Sequence, residues 1–556
     1  MKIVECVPNF SEGRNKETIE AIATAVRSVS GVSLLDVDPG HATNRTVYTF
    51  AGPPDEVMEA AFLAIKVGSE LIDMRTHKGS HARQGACDVC PFVPVAGITM
   101  EECVDLAKRL GKRVGEELDI PVYLYANAAT RPERVRMPDI RAGEYEALEE
   151  KLTKPEWKPD FGQPKFNAKS GATVIGARPF LIAYNINLNS TNVKLAKKIA
   201  NVIRETGKLK RDEEGNVVRK PDGTAERIPG MFKEVQGTGW LIPEYNRAQV
   251  TVNILNIDEA PLYKVYDACC DLAAKFGCRI TGSEIVGMVP KRVLTEAGLH
   301  YLKKQGSTTG VSEDEIIRTA ILTLGLSDVA PFDPKHKIIE ERFCEPAPLA
   351  SMTVDAFTKE LSSNSPAPGG GSVAALAGAL SSGLSSMVAA LTFEKQGFEE
   401  VQSEMESIGV AAQKTMASQI KAIDTDTAAF NMVMDAFSMP KATEEQEAAR
   451  AAAIEEANKG ATTEPLGTLE RTIPALECAM AVAQKGNPNS LSDAGVAGLM
   501  GRAAAMGAYY NVLINLQGIE DKKWSKDIRN KADEFLKQAE EKAAAIETFV
   551  LEKLQS

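Results

Sequence analysis

The sequence predicts a multidomain chain, with two similar α/β units followed by an all-α helical bundle. Three observations carry this. At 556 residues the chain is too long for a single hydrophobic core. Up to about residue 330, runs of apolar period two alternate with runs of period 3.6, and one strand–helix order occurs twice. Beyond Thr353 helical periodicity continues without a strand pattern.

Residues 2–10 read as a strand, 16–28 as a helix, 32–37 and 46–50 as strands, and 54–73 as a helix. A strand at 89–95, a helix at 100–117 and a strand at 122–125 follow. Within this lies the β-α-β-β-α-β order of a ferredoxin-like unit, an α+β sandwich, with one helix and strand beyond it. After a Pro- and Trp-bearing connection at 154–162 the order begins again. It has strands at 172–175 and 180–187, a helix at 193–205, strands at 235–241 and 249–255, a helix at 261–276 and a strand at 279–286. Helices near 293–304 and 313–324 close this part. The stretch 208–229 carries Glu214-Gly215-Asn216 and Pro221-Asp222-Gly223, turn signals of a solvated hairpin excursion. The expected boundaries are 1–171, 172–332, a linker at 333–348 punctuated by Pro334, Pro346 and Pro348, and 349–556. Helical patterns in the last part cover 354–361, 373–392, 398–437, 443–458, 466–484, 493–516 and 526–554.

Composition narrows the function classes. A net charge of −12 argues against nonspecific nucleic-acid binding, so an anion site must be a local basic cluster. Nine scattered cysteines suit a reducing compartment, and Met1-Lys2-Ile3-Val4-Glu5 has no apolar signal core, so a cytoplasmic location is expected. Residues 365–393 lack any charge and are long enough to span a bilayer. Small residues every four positions, Ala374, Gly378, Ser382 and Ser386, predict instead a helix pressed against neighbours in a bundle.

The densest polar stretch is 73–88, with His77, His81, Arg75, Lys78, Arg83 and Asp88. His77 and His81 stand four apart, a spacing for metal ligation on a helix, but Gly79 and Gly85 predict a loop. A single acid–base histidine among cations is the functional alternative, since imidazole titrates near neutrality. Cys87 and Cys90 form a lone Cys-x-x-Cys on a strand, a poor redox site. In the loop 36–45, Asp38 is placed to orient an imidazole, while Asn44 and Arg45 stand beside it, Arg45 suited to a carboxylate. Gly162-Gln163-Pro164-Lys165-Phe166-Asn167-Ala168-Lys169-Ser170-Gly171 links the two units across their expected cleft.

In the bundle, Ser365-Pro366-Ala367-Pro368-Gly369-Gly370-Gly371-Ser372 offers bare backbone N–H groups, with Ser372 expected to cap a helix beginning at Val373. It lacks the Gly-Lys-Ser/Thr ending of a P-loop. Ile420, Ile423, Thr427, Phe430, Met434 and Phe437 follow one helical face, expected to be buried. At about 100° per residue Asp426 lies nearer that face than Asp424. Ser492-Asp493 is expected to open a helix in which Asn511 and Asn515 stand one turn apart.

Val4-Glu5-Cys6-Val7-Pro8-Asn9-Phe10-Ser11-Glu12-Gly13, Asn44-Arg45-Thr46-Val47-Tyr48-Thr49-Phe50 and residues 77–94 resemble glutamate formimidoyltransferases. Residues 367–372 and Tyr510-Asn511-Val512-Leu513-Ile514-Asn515-Leu516 resemble formimidoyltetrahydrofolate cyclodeaminases. In this order they resemble the bifunctional formimidoyltransferase-cyclodeaminase family over nearly the whole length, although 208–229 is longer than in vertebrate members. The resemblance implies transfer of a formimidoyl group from N-formimidoyl-L-glutamate to N5 of tetrahydrofolate, in histidine breakdown. Ring closure to 5,10-methenyltetrahydrofolate with loss of ammonia then follows. It implies His81 as the acid–base group; Asp38 is then the candidate to orient it, and Arg45 and Asn44 are the candidates at the substrate. Folate falls to residues 162–171 and the cyclodeaminase aspartate to Asp426; Gly369, Gly370, Gly371, Ser372 and Asp493 are the further candidates to bind substrate. It further implies no metal, no nucleic acid or membrane, polyglutamylated tetrahydrofolate as acceptor, and a cytosolic homo-oligomer. Two other classes stay open: a metal-dependent hydrolase at His77, His81 and Asp88, and a noncatalytic folate-binding scaffold.

Overall fold

The computed structural model describes residues 2–41, 44–79, 82–242, 245–343, 347–365 and 367–556. Two compact units emerge, residues 1–297 with 321–344, and residues 298–320 with 345–556.

The first unit begins with β1 (Ile3–Cys6) and β2 (Asn9–Phe10), which both pair with the same two neighbours and are separated by Val7-Pro8. Asn15 caps α1 (Lys16–Arg27), accepting from the N–H groups of Glu17 and Thr18. The hairpin β3 (Ser33–Gly40) and β4 (Arg45–Gly52) leads to α2 (Pro54–Leu71), β5 (Cys87–Ala96), α3 (Met100–Glu117) and β6 (Val122–Ala126). A Thr99–Glu102 capping box starts α3. Short helices α4 (Met137–Arg141) and α5 (Leu148–Lys151) precede β7 (Thr173–Ala177). Alternate strand residues such as Val4, Cys6, Phe50 and Phe92 bury against Ile22, Ile65 and Leu110 of the three long helices.

The seven-stranded sheet runs β3, β4, β1 with β2, β5, β7, β6, and only the β5–β7 and β7–β6 pairs are parallel. This corrects the boundary at 171/172. The strand after Gly171 was expected to open the second unit, but β7 completes the first sheet. Its Thr-Val-Ile-Gly-Ala is buried at all five residues, so no polar alternation marks the sheet to which it belongs.

A second sheet of β8 (Ile182–Leu188), β11 (Val235–Ile242), β12 (Arg247–Ile254) and β13 (Ile280–Val286) has the antiparallel order β11-β12-β8-β13. α6 (Val193–Ile203) follows β8 and α7 (Leu262–Lys275) follows β12. The 208–229 excursion is a small ladder of β9 (Lys208–Leu209) and β10 (Arg227–Ile228), with turns at Gly215 and Gly223 in the left-handed region. α8 (Lys291–Lys304), α9 (Glu313–Leu324) and α10 (Pro334–Lys337) follow. The expected linker is packed along much of its length: Ile338 and Ile339 are fully buried, and Val289 exchanges backbone bonds with Lys337 and Ile339. Residues 344–346 lie outside the described residues.

The helical unit comprises α11 (Val354–Leu361), α12 (Gly370–Phe393), α13 (Gln402–Ser438), α14 (Glu444–Lys485), α15 (Leu491–Leu516) and α16 (Lys522–Gln555). Residues 298–320, expected with the α/β part, group here. The hydroxyls of Thr308 and Thr309 donate to Glu406, and the Gly310 backbone lies against Gly409. α12 is long and apolar enough to cross a membrane. Its Ala374, Gly378, Ser382 and Ser386 are all buried, and it packs on α13 and α15. A Cβ on Gly378 would lie 2.7 Å from Gln419 Nε2.

Two helices were expected where α14 runs unbroken through Pro465. Proline removes the N–H that would bond the Ala461 carbonyl. Asn515 Nδ2 on α15 supplies that bond at 2.7 Å, so the helix continues. The expected buried face of α13 also needs correction. Ile423 is buried, but Ile420, Met434 and Phe437 are exposed, and small residues such as Gly409, Ala412, Ala422 and Ala429 face inward. Close helix approach selects small side chains over a hydrophobic stripe.

Candidate active sites

The first candidate site surrounds the loop between α2 and β5. Ser80 and His81 lie outside the described residues. Their neighbours on either side are held firmly. Met74 N–H donates to Lys169 O, Ala86 N–H to Ser170 O, and Ala172 N–H to Gln84 O. Residues 169–172 thus brace both ends of the loop. A Cβ on Gly171, at φ +68°, would lie 2.2 Å from Gln84 O. Tyr145 donates its hydroxyl to Ala168 O and stacks obliquely with Phe166. Gln163, Pro164 and Lys165 are exposed, while Asn167 bonds Asp119 O and the Ser170 N–H.

His77 is fully engaged. Its Nε2 donates to Asn44 O at 2.8 Å, and its Nδ1 accepts from Arg83 Nε at 3.3 Å. Arg83 is in turn clamped by Glu144 and Glu146 at 2.8–2.9 Å. Asn44, with φ +50°, accepts from Gly13 N–H and donates to Lys78 O. Its amide therefore ties the loop to α1's approach and is spent on backbone. A cleft of about 420 Å³ is lined by Lys78, Gly79, Arg83, Gly143, Glu144 and Glu146.

Asp88 is buried, accepting from Arg141 at 2.5 Å and from Gln84 N–H. Burial holds the Arg45 guanidinium below its ordinary value, with the charges of Asp88 and Asp38 opposing that shift. Asp38 is exposed on β3, paired with Val47. An arginine pair, Arg45 and Arg141, thus stands about one buried carboxylate. Arg141, Glu144 and Glu146 carried no sequence signal, being more than 50 residues from their partners. His77 and Asp88, two of the three groups in the metal-hydrolase reading, both have protein partners.

The second candidate site is the N-terminus of α12. Gly369 is the N-cap residue and Gly370 and Gly371 form the first turn, so Ser372 does not cap the helix as expected. Glycine admits a helix start one turn earlier than the Ser rule places it. Ser372 Oγ instead reaches α13, within 2.9 Å of Ile423 O and 3.1 Å of Asp426 Oδ2. A Cβ on Gly371 would lie 2.1 Å from Asp426 Oδ1, so only glycine permits this approach. Asp424 turns elsewhere, accepting from the N–H groups of Leu349 and Ala350. Burial raises the Asp426 carboxyl above its ordinary value; the charge of Glu464 on α14 adds to this and the bonds from Ser372 oppose it. Thr425 donates to Glu464 Oε2 at 3.0 Å, and Arg471 stands near Glu464 and Gln419.

Asn511 on α15 lies beside Gly370, where a Cβ would be 3.2 Å from its Nδ2. Gly507 faces Ala374 and Gly501 faces Ser381, so α12 and α15 run antiparallel. Asp493, in the first turn of α15, therefore sits at the other end of α12 from Asp426. It is not brought to this site, and α15 starts at Leu491 with Ser490, not Ser492, before it.

Three family descriptions match successive parts of the chain: "Formiminotransferase domain, N-terminal subdomain" over 3–178, "Formiminotransferase domain" over 183–343, and "Formiminotransferase-cyclodeaminase" over 353–534. A formimidoyltransferase-cyclodeaminase from Gallus gallus is 42% identical over 548 residues, 98% of each chain. The chain belongs to the formimidoyltransferase-cyclodeaminase family. Shorter relatives match its parts. A glutamate formimidoyltransferase from Thermoplasma acidophilum is 43% identical over 314 residues, 56% of this chain and 95% of that one. A methenyltetrahydrofolate cyclohydrolase from Methylorubrum extorquens is 37% identical over 187 residues, 34% of this chain and 90% of that one. The first formiminotransferase match ends one residue after β7, in keeping with its place in the first sheet.

Proposed function

We propose that this member of the formimidoyltransferase-cyclodeaminase family carries out both reactions. The α/β unit moves the formimidoyl group from N-formimidoyl-L-glutamate to N5 of tetrahydrofolate, releasing glutamate. The helical unit closes the ring to 5,10-methenyltetrahydrofolate and releases ammonia. The observation that carries this is the full-length match to a bifunctional relative, with a distinct polar site in each unit.

For transfer, N5 must lose a proton as it attacks the amidine carbon, and the departing glutamate amine must gain one. His81 is assigned both transfers, because its loop is braced by the segment assigned to folate and its neighbour His77 is already engaged. Arg45, beside Asp38 and Arg141, takes a substrate carboxylate. For closure, N10 attacks the formimidoyl carbon. The formimidoyl group enters as its amidinium, with two hydrogens already on the terminal nitrogen. The N10 proton passes to Asp426 and then to that nitrogen, which leaves as ammonia while the positive charge stays on the methenyl product. Proton count and charge balance without a further reactant. The N-terminus of α12, whose first N–H groups have no partner within the helix itself, suits an electron-rich part of the substrate.

The finer readings are proposals of the same kind. The strand order β11-β12-β8-β13 with its two helices supports two ferredoxin-like units, divided between residues 178 and 182. Polyglutamylated folate as acceptor, the absence of a metal, a homo-oligomer and a cytoplasmic location rest on the family; free thiols at the eight described cysteines support a reducing compartment. Supplying N-formimidoyl-L-glutamate and tetrahydrofolate should yield methenyltetrahydrofolate, read by its near-ultraviolet absorbance, and free ammonia. Glutamate release without ammonia would refute the second activity. A second reading, ring hydrolysis by the helical unit, draws on the Methylorubrum extorquens match and predicts that supplied methenyltetrahydrofolate is consumed.

A further inference from the structure

The cyclodeaminase reading places one carboxylate, Asp426, at the reacting atoms, yet the structure sets a second beside it. Glu464 comes from a different helix, α14, and is half-buried. Its Oε2 accepts from Thr425, the residue before Asp426, at 3.0 Å. Pro465 follows directly, and the bond from Asn515 to Ala461 O fixes α14 at this point. The carboxylate is therefore held by Thr425, on a stretch of helix that Asn515 ties to α15.

We propose that Glu464 is a positioning residue for ring closure: its negative charge, fixed beside Asp426, strengthens that aspartate as the base that takes the N10 proton. The surroundings leave few other charges to do this. α12 has no ionisable side chain, and the α15 residue at Gly370 is the neutral Asn511. On α13, Asp424 is turned to Leu349 and Ala350 and Lys421 is exposed. On α14, Arg471 stands near Glu464, and Glu470 is exposed. The N–H and hydroxyl of Ser372 favour the charged form of Asp426, so a like charge is what offsets them. A stronger base removes the N10 proton faster when the proton is in flight in the transition state. The same proton then goes to the departing nitrogen, which as part of an amidinium already carries two hydrogens, so the step needs no other reactant.

The inference rests on Asp426 being the cyclodeaminase base, and the test separates the two. Full-length protein is given 5-formimidoyltetrahydrofolate, and ammonia release is followed against pH. Glu464→Gln keeps an acceptor for Thr425 but removes the charge; Glu464→Asp keeps the charge. The carboxylate form of Asp426 is the active one, so activity falls as pH falls through its pKa. Removing a neighbouring negative charge lowers that pKa. In Glu464→Gln the acid limb should move down by roughly half to one pH unit, with the plateau rate several-fold lower, as one like charge in a half-buried setting allows. Glu464→Asp should return the limb toward its original position. An unmoved limb in Glu464→Gln, or loss of ammonia release at every pH with folding intact, would overturn the proposal. Retention of ring closure in Asp426→Asn would overturn the underlying reading instead.

Discussion

At the scale of single residues, small geometric facts separate look-alike side chains. Asp424 and Asp426 are two apart on one helix, and the helical angle already favoured Asp426 for the interior. The structure supplies the reason the pair diverges: one carboxylate holds two backbone N–H groups, the other meets Ser372. Asp424→Ala should lower stability by about 1–3 kcal/mol, since it orphans two donors, while leaving ring closure measurable. Gly371→Ala should do the reverse, removing ring closure by displacing Asp426 while the transferase continues. Calorimetry and the two product assays read both. Glu5 offers a test against pH. Burial pushes its carboxyl up to about 7, opposed by the charge of Arg178. The folded state then keeps a proton that the unfolded chain releases between its ordinary pKa and about 7, so stability falls as pH rises through that window. Glu5→Gln should raise stability by up to about 3 kcal/mol at pH 8 and little at pH 4. Equal melting shifts at both would contradict this. Other residue-scale facts left no trace in the sequence. Glu464 reads as one more solvated charge on a long helix, and the clamp on Arg83 joins residues 61 and 63 positions apart.

At the scale of elements, periodicity located the long strands and helices, because local side-chain patterns decide them, while the short α4, α5 and α10 were not foreseen and the caps expected at Ser372 and Ser492 were misplaced. What pairs with what depends on contacts far along the chain. β7 is buried throughout, and nothing in its five residues says that it slots between β5 and β6. The break expected between residues 458 and 466 failed for a related reason, since the repair comes from Asn515, 54 residues beyond the Ala461 carbonyl it bonds. Asn515→Ala should cost about 1–2 kcal/mol by leaving the Ala461 carbonyl unbonded. In a Pro465→Ala background that carbonyl regains a backbone donor, so Asn515→Ala should cost much less. Additive effects in this double-mutant cycle would show that the repair is not what keeps α14 continuous.

At the scale of the molecule, the Pro-rich stretch after Asp333 looked like the joint, yet packing extends through Ile339 and the second family match of the α/β part runs on to Phe343. Prolines marked an irregular path, which is not the same as a free one. Residues 298–320 likewise fold with the helices, as the Thr308 and Thr309 bonds to Glu406 require. A fragment ending at Phe343 should therefore transfer the formimidoyl group without releasing ammonia. The complementary fragment should close the ring but melt earlier than the same unit in the whole chain, having lost those bonds. A soluble, folded 1–343 fragment without transferase activity would mean that the first site borrows residues from beyond it.

The central claim is that two separate sites on one chain act in succession. The most direct measurement follows glutamate and ammonia together, from N-formimidoyl-L-glutamate and tetrahydrofolate, in the full-length protein and in Asp426→Asn. The unaltered protein should release the two in equal amounts, and Asp426→Asn should release glutamate alone while 5-formimidoyltetrahydrofolate accumulates. Loss of both products together, or undiminished ammonia, would contradict the account.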